Sequence, residues 1–275
     1  MPFIDREPTM SGATSQLVTY KQTCGPIYEK WLKEMKEENH HNRKQWEYIF
    51  IMQALEENGM LEPDKKGLGF GVGSEPLPAL MAKRGISTLA TEINIETKNE
   101  NGWVKGRNKQ EQMAALNSKD ICDESRFNEL VYFRDVDMNY IPQDLRDFDF
   151  VWSSCSLEHL GTIDKCTEFI FNSLDCLKPG GIAALTTEYT LSKNRTITEG
   201  STVFFREKDI RQIEKRLTEA GHRVTINLNK GNTFRDWKID FPPYKKDNHL
   251  KLLVSKQWKI LVATSIGLII KKSSN

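Results

Sequence analysis

Three side chains in this sequence could move a proton at the end of a strand. His159 follows the apolar run 148–153 with Glu158 beside it, and a histidine exchanges protons near neutral pH. It could equally pack at a helix start. Glu188 follows the run 182–187 between Thr187 and Tyr189. It could be a base, a hydroxyl orienter or a metal ligand, or a carboxylate that caps a strand end. His249 lies in the connection Pro243-Tyr244-Lys245-Lys246-Asp247-Asn248-His249, where it could flank a pocket or be a plain loop residue. A base held against an alcohol is worth about 10²–10⁴-fold in rate. Cys155 reads as a small buried apolar residue rather than a nucleophile. His40-His41 lacks the i, i+4 spacing of a helical metal site and reads as a surface or helix-start pair, so no metal ligand is assigned.

A second group of residues could hold a nucleoside. Gly67-Leu68-Gly69-Phe70-Gly71-Val72-Gly73 runs from a strand into a helix. Glycine permits tight turns and close approach of the backbone to a ligand. A dinucleotide fingerprint needs G-x-G-x-x-G, but the third glycine position is Val72, Ser74 or Pro76 in the three possible frames. Pro76 and Pro78 also remove donors that a pyrophosphate would need. The turn suits a smaller group, such as an amino-acid moiety. Glu92 closes the next strand, about twenty residues on, where an acid can accept hydrogen bonds from ribose hydroxyls. Asp137-Met138 follows the third strand. An acid there can accept from an adenine amino group, and the next N–H can bond a ring nitrogen; a lone Asp there could also be a loop cap.

These residues need a particular scaffold. Residues 1–26 read as irregular. Helical periodicity covers 27–39, with Ile27, Tyr28, Trp31, Leu32 and Met35 on one face, and 43–58, with a stripe of Trp46, Ile49, Phe50 and Ala54. From Lys65 strands and helices alternate: strands at 67–72, 87–93, 130–135, 148–153, 182–187, 223–227 and 259–271, helices at 76–84, 109–117, 164–177 and 207–220. Lys178-Pro179-Gly180-Gly181 reads as a helix stop. Repeated β-α units predict a parallel sheet covered on both faces. The last two strands have no helix between them, which predicts one antiparallel strand. The expected organisation is an N-terminal helical extension or lid, 1–60, and an α/β domain, 61–275.

Composition sets outer limits. The 275 residues hold 39 Lys+Arg and 38 Asp+Glu, a net charge of +1, which speaks against a general nucleic-acid binder. Five cysteines without C-x-x-C exclude a disulfide scaffold and zinc spacing. No signal-peptide pattern opens the chain, and the apolar run 260–270 falls short of the ~20 residues that span a bilayer. A cytoplasmic protein is expected. The charge is uneven: residues 230–275 hold ten Lys/Arg and three Asp/Glu, so this segment carries +7 and the rest −6. That is a solvated surface stretch or a border suited to an anionic acceptor.

The ordered set Leu68-Gly69-Phe70-Gly71-Val72-Gly73, Glu92, Asp137-Met138, Phe148-Asp149-Phe150-Val151-Trp152-Ser153-Ser154, Leu157-Glu158-His159-Leu160 and Leu177-Lys178-Pro179-Gly180-Gly181 resembles class I S-adenosylmethionine-dependent methyltransferases. A narrower resemblance is to bacterial methyltransferases associated with glycan or capsule biosynthesis. It rests on His41-Asn42-Arg43-Lys44-Gln45-Trp46-Glu47, Ser74-Glu75-Pro76-Leu77-Pro78, Ser153-Ser154-Cys155-Ser156-Leu157-Glu158-His159-Leu160-Gly161 and Thr186-Thr187-Glu188-Tyr189. The resemblance implies a Rossmann-like, doubly wound, seven-stranded and mostly parallel sheet, with S-adenosylmethionine as cofactor. Gly69, Gly71 and Gly73 would surround its methionine part, Glu92 its ribose, Asp137 with Met138 its adenine, and Ser154 or Cys155 the methyl-donor pocket. His159 is the first candidate base, Glu188 the second, and His249 a flanking residue. The implied acceptor is a small molecule or glycan, methylated at an oxygen of a sugar or of a phosphorylated or nucleotide-linked compound. Two other classes use such a sheet: nicotinamide-dependent oxidoreductases and non-catalytic nucleoside-binding modules.

Overall fold

A computed structural model of the protein describes residues 2–12, 14–94, 108–193 and 195–274. In chain order the strands are β1 (Phe3–Ile4), β2 (Ser15–Leu17), β3 (Lys66–Phe70), β4 (Ser87–Glu92), β5 (Val131–Asp135), β6 (Phe148–Ser154), β7 (Leu177–Thr190), β8 (Arg223–Val224), β9 (Ile226–Asn227), β10 (Leu252–Lys256) and β11 (Lys259–Lys271). The α-helices are α1 (Pro26–Glu34), α2 (Arg43–Glu57), α3 (Leu77–Lys83), α4 (Lys109–Leu116), α5 (Glu124–Leu130), α6 (Ile163–Asp175) and α7 (Glu207–Glu219).

Among the described residues all eleven strands form one sheet, ordered β1-β9-β2-β11-β7-β6-β3-β4-β5, with β8 and β10 also paired to β11. The pairs β5-β4-β3-β6-β7 are parallel and β11 is antiparallel to β7. The expected strand at 223–227 is split at Thr225 into β8 and β9. Strands β1, β2 and β10 are additional, so the seven-stranded expectation is corrected to eleven. Residues 1–26 are not irregular either. β2 pairs with β11 and β9, and β1 pairs with β9. Strands of two or three residues are too short to show an alternation, so their pairing partners rather than their own pattern make them strands.

Alternation places the core on both faces. On β6 Phe150 and Trp152 point to the side of α1, α2 and α3, while Val151 points to the side of α6 and α7. Ile182 and Ala184 against Ala183 and Leu185 repeat this on β7. Parallel strands buried on both faces are expected to read as near-continuous apolar runs, as these do.

Capping residues fix the ends of the first helices. Pro26 begins α1 after Gly25, whose φ is 98°. The helix ends at Glu34 rather than near 39, because Lys36 turns left-handed with φ 55°. The Asn42 side chain accepts the Lys44 N–H at 2.7 Å and starts α2. Helix α6 ends at Asp175, before the predicted stop. Residues 178–181 form a bulge inside β7, since Leu177 pairs with Phe148 and Ile182 with Phe150. Lys178 Nζ anchors the bulge on Asp149 at 2.9 Å.

Gly67 and Gly69 lie within β3, and side chains there would run into the rings of Phe150 and Trp152. Gly69→Ala should therefore destabilise the fold by about 1–3 kcal/mol through overpacking, read as a shifted urea midpoint at unchanged slope. A variant as stable as the parent would show that the Trp152 ring can move aside.

Candidate active site

The carboxyl ends of β3, β4, β6 and β7 converge, as strand ends do at the ligand crevice of an open α/β sheet. One side of this crevice is the glycine turn. Gly71 (φ 62°) and Gly73 (φ 52°) take the left-handed region that glycine tolerates best. Among the described residues nothing lies within 4 Å of where a Gly73 side chain would begin. Ser156 Oγ donates to the Gly71 carbonyl at 2.7 Å, and the Gln112 side chain donates to the Gly73 carbonyl. Glu92 Oε2 accepts the Gly73 N–H at 3.0 Å, and its Oε1 accepts the Ile93 N–H at 3.0 Å. The predicted ribose acid therefore also fastens the turn.

Gly69 needs correction as a turn residue. It belongs to β3, and Trp152 occupies the space it leaves, so it supports the turn from below. Asp137 Oδ1 accepts the Asn139 N–H at 2.8 Å, a local loop-capping bond, and Met138 is buried beside Gly71. Ser154 is buried, and its Oγ has no hydrogen-bond partner among the described residues.

The other side of the crevice is a buried charged network. Arg43 Nη2 meets Glu188 Oε1 at 2.6 Å, and Nη1 lies 3.5 Å from Glu47 Oε1 and 3.2 Å from Ser265 Oγ. Lys44 Nζ reaches Glu47 Oε2 at 3.1 Å and keeps 47 % of its side chain accessible. The Cys155 thiol donates to Glu47 Oε1 at 3.2 Å, and Thr187 Oγ1 donates to Glu158 Oε2 at 3.1 Å. One donor atom each from Cys155, Glu158 and Glu188 lies within 4.8 Å of the others, with Arg43 as the adjoining cation.

Burial opposes the charge of Glu47, yet Lys44, Arg43 and the Ser265 hydroxyl outweigh it and hold this carboxyl below the usual range. Burial lifts Glu188 above that range, with Arg43 working against the lift and Glu158 and Glu47 adding to it. Burial and the nearby carboxylates push the Cys155 thiol well up, so it is a neutral donor and not a nucleophile. Glu188 Oε2 is buried without a hydrogen-bond partner among the described residues. That leaves an acceptor oxygen facing no donor, beside one that Arg43 holds fixed.

His159 borders this centre and His249 lies beyond Arg43 from it. His159 Nδ1–H donates to the Ser201 carbonyl at 2.6 Å, and Nε2 is 3.9 Å from Glu158 Oε1. His249 Nδ1 binds Asp240 Oδ2 at 2.7 Å, while the His249 carbonyl accepts the Arg43 N–H at 3.2 Å. Arg43, Lys44, Glu47 and Glu75 were not among the predicted site residues. Two signals were present in the sequence: segments 41–47 and 74–78 carry the narrower resemblance, and Arg43 and Glu47 stand i, i+4 on a predicted helix, where the structure pairs them.

No protein-family model matches the chain, and no curated protein sequence does. Among solved structures it is similar to magnesium protoporphyrin IX methyltransferase from Synechocystis, solved with bound SAH, at 12% identity over 90% of this chain and 94% of that one, TM-score 0.45. It is also similar to an S-adenosylmethionine-dependent methyltransferase from Clostridium acetobutylicum, at 13% identity over 90% and 96%, TM-score 0.45. The [4+2]-cyclase SpnF is another such structure, at 17% identity over 60% and 57%, TM-score 0.42. Likeness at this level assigns no chemistry, so the functional reading rests on the site.

Proposed function

We propose that the protein is an S-adenosylmethionine-dependent methyltransferase that methylates an oxygen of a small molecule or glycan. The observation that carries this reading is the meeting of two features at the carboxyl ends of neighbouring strands, joined through Ser156, which bonds the Gly71 carbonyl, and Cys155, whose thiol lies 4.0 Å from Glu188 Oε1. The first is a glycine turn tied to a strand-end acid; the second is a buried carboxylate with one oxygen held by Arg43 and the other without a hydrogen-bond partner among the described residues. The site fits the cofactor: among the described residues space is open over Gly73, and the Ser154 hydroxyl, at the carboxyl end of β6, is an orphaned buried polar atom. Gly71 and Gly73 would hold the methionine part, Glu92 the ribose, Asp137 and Met138 the adenine, and Ser154 and Cys155 the floor. When bound, the cofactor supplies an already activated methyl group.

The protein's own work is alignment and proton acceptance. Glu188 Oε2 takes the proton of the attacking hydroxyl while Arg43 fixes the carboxylate through Oε1, which makes Glu188 the first candidate base ahead of His159. Residues 1–60 supply α2 as the wall of the crevice, and 61–275 form the remaining methyltransferase domain. Asn42 donates to the Lys246 carbonyl at 2.9 Å, and His249 touches Arg43 through its carbonyl. The basic segment thus borders the acceptor side, which favours a sugar carrying a phosphate or nucleotide.

Calorimetric titration tests the reading. S-adenosylmethionine should bind, and Glu92→Ala should weaken it at least about tenfold, since each charge-assisted bond is worth roughly 1.5–3 kcal/mol. Tight binding of NAD(H) with none of S-adenosylmethionine would instead make the protein an oxidoreductase. Cofactor binding without labelled-methyl transfer to any of a broad acceptor panel would make it a binding module.

A further inference from the structure

Glu75 follows the glycine turn by two residues, just ahead of α3, and is only 3% exposed. Its Oε1 accepts the Trp152 indole N–H, and its own N–H donates to the Val72 carbonyl at 3.1 Å. Among the described residues no cation forms an ion pair with it. The charged and titratable groups that face it are Lys44, Glu47 and Tyr48 from α2 and Glu92 from β4. Burial is the main reason that its carboxyl is pushed up to about 8; Trp152 and Lys44 pull the other way, and Glu92 and Glu47 add to the rise. At neutral pH Glu75 is therefore largely protonated, a buried acid without a counter-ion. Glu47, whose charge reaches Glu75, also contacts Arg43 and Cys155 in the buried charged network.

On the methyltransferase reading, on which this inference rests, the transferred methyl lies between the glycine turn and Glu188. With the methionine part held at the glycine turn, the positive sulfur that carries it would lie toward Glu75, which follows that turn by two residues. We propose that Glu75 is the counter-charge for the sulfonium of the donor, and that it distinguishes the cationic donor from its neutral thioether product. Binding of the donor would favour the carboxylate and release the Glu75 proton to solvent. Transfer removes the positive charge, and Glu75 takes a proton back as the product becomes the more weakly held ligand. An opposite charge at 4–6 Å shifts a carboxyl by about one to three pH units, which corresponds to tenfold or more in relative affinity.

The test compares S-adenosylmethionine and S-adenosylhomocysteine by calorimetry at pH 7 in two buffers of different ionisation enthalpy. The parent protein should release a fraction of a proton with the first ligand and markedly less with the second. Glu75→Gln keeps an acceptor for Trp152. It should abolish the difference in proton release and lower the donor-to-product affinity ratio about tenfold, with product affinity within threefold of the parent. That retained product affinity also shows that the variant is folded. If both ligands bind and the ratio and proton release are unchanged in Glu75→Gln, the Glu75 assignment is wrong while the cofactor reading stands. If the parent binds neither ligand, both fall.

Discussion

Arg43→Ala is expected to lower the free energy of unfolding by about 3–5 kcal/mol, the range for removing one partner of a buried ion pair. The guanidinium lies 2.6 Å from Glu188 and 3.5 Å from Glu47, and both carboxyls are buried. Without Arg43, Glu47 keeps Lys44 but Glu188 keeps no cation among the described residues. The loss should depend on pH with a definite sign. A carboxyl whose folded pKa is raised above its unfolded value stays protonated in the folded state while the unfolded chain ionises, so stability falls as pH rises through that interval. The deficit of Arg43→Ala should thus be smaller at pH 5 than at pH 8. Adding Glu188→Gln to Arg43→Ala should recover part of it, because the orphaned charge is then gone. Urea unfolding at the two pH values reads all three. A loss under about 1 kcal/mol at pH 8 would mean that the network is wet and the pair contributes little.

Glu188→Gln is expected to lower turnover about 10²–10⁴-fold, the usual worth of a positioned base. The amide keeps the shape of the carboxylate and an oxygen for Arg43, but it cannot accept the hydroxyl proton. Binding of S-adenosylmethionine should stay within about threefold, because Glu188 is held by Arg43 and is not among the residues proposed to hold the cofactor. In the parent protein turnover should fall as pH drops, beginning above the ordinary carboxylate range, because burial raises Glu188. The measurement is transfer of labelled methyl to sugars and phosphorylated compounds, with cofactor affinity taken from titration. Full turnover in Glu188→Gln together with its loss in His159→Ala would return the base role to His159.

The candidate site was legible in the sequence to different depths. The turn at Gly71 and Gly73, Glu92 and the order of strand ends follow from local rules, since a turn, a strand end and their spacing are near neighbours in the chain. Glu188 was visible as a strand-end acid, but its weight relative to His159 was not. That weight depends on Arg43, which arrives from a helix far along the chain, and on the bond of His159 to the Ser201 carbonyl. Gly69 looked like part of the turn because the glycines repeat at every second residue. Only the Trp152 ring, packed from the neighbouring strand, makes it a core position.

The sequence by itself determined the alternation of strands and helices, the two-sided burial of the central strands and the failure of the dinucleotide fingerprint, because periodicity and backbone freedom act over a few residues. Tertiary structure alone decided that β1 and β2 extend the sheet, that α2 brings Arg43, Lys44 and Glu47 over the strand ends, and that Glu75 lies buried without an ion pair among the described residues. These features depend on which distant segments share a dry, low-dielectric space. There charges must be paired or neutralised, and no local pattern records which partner arrives.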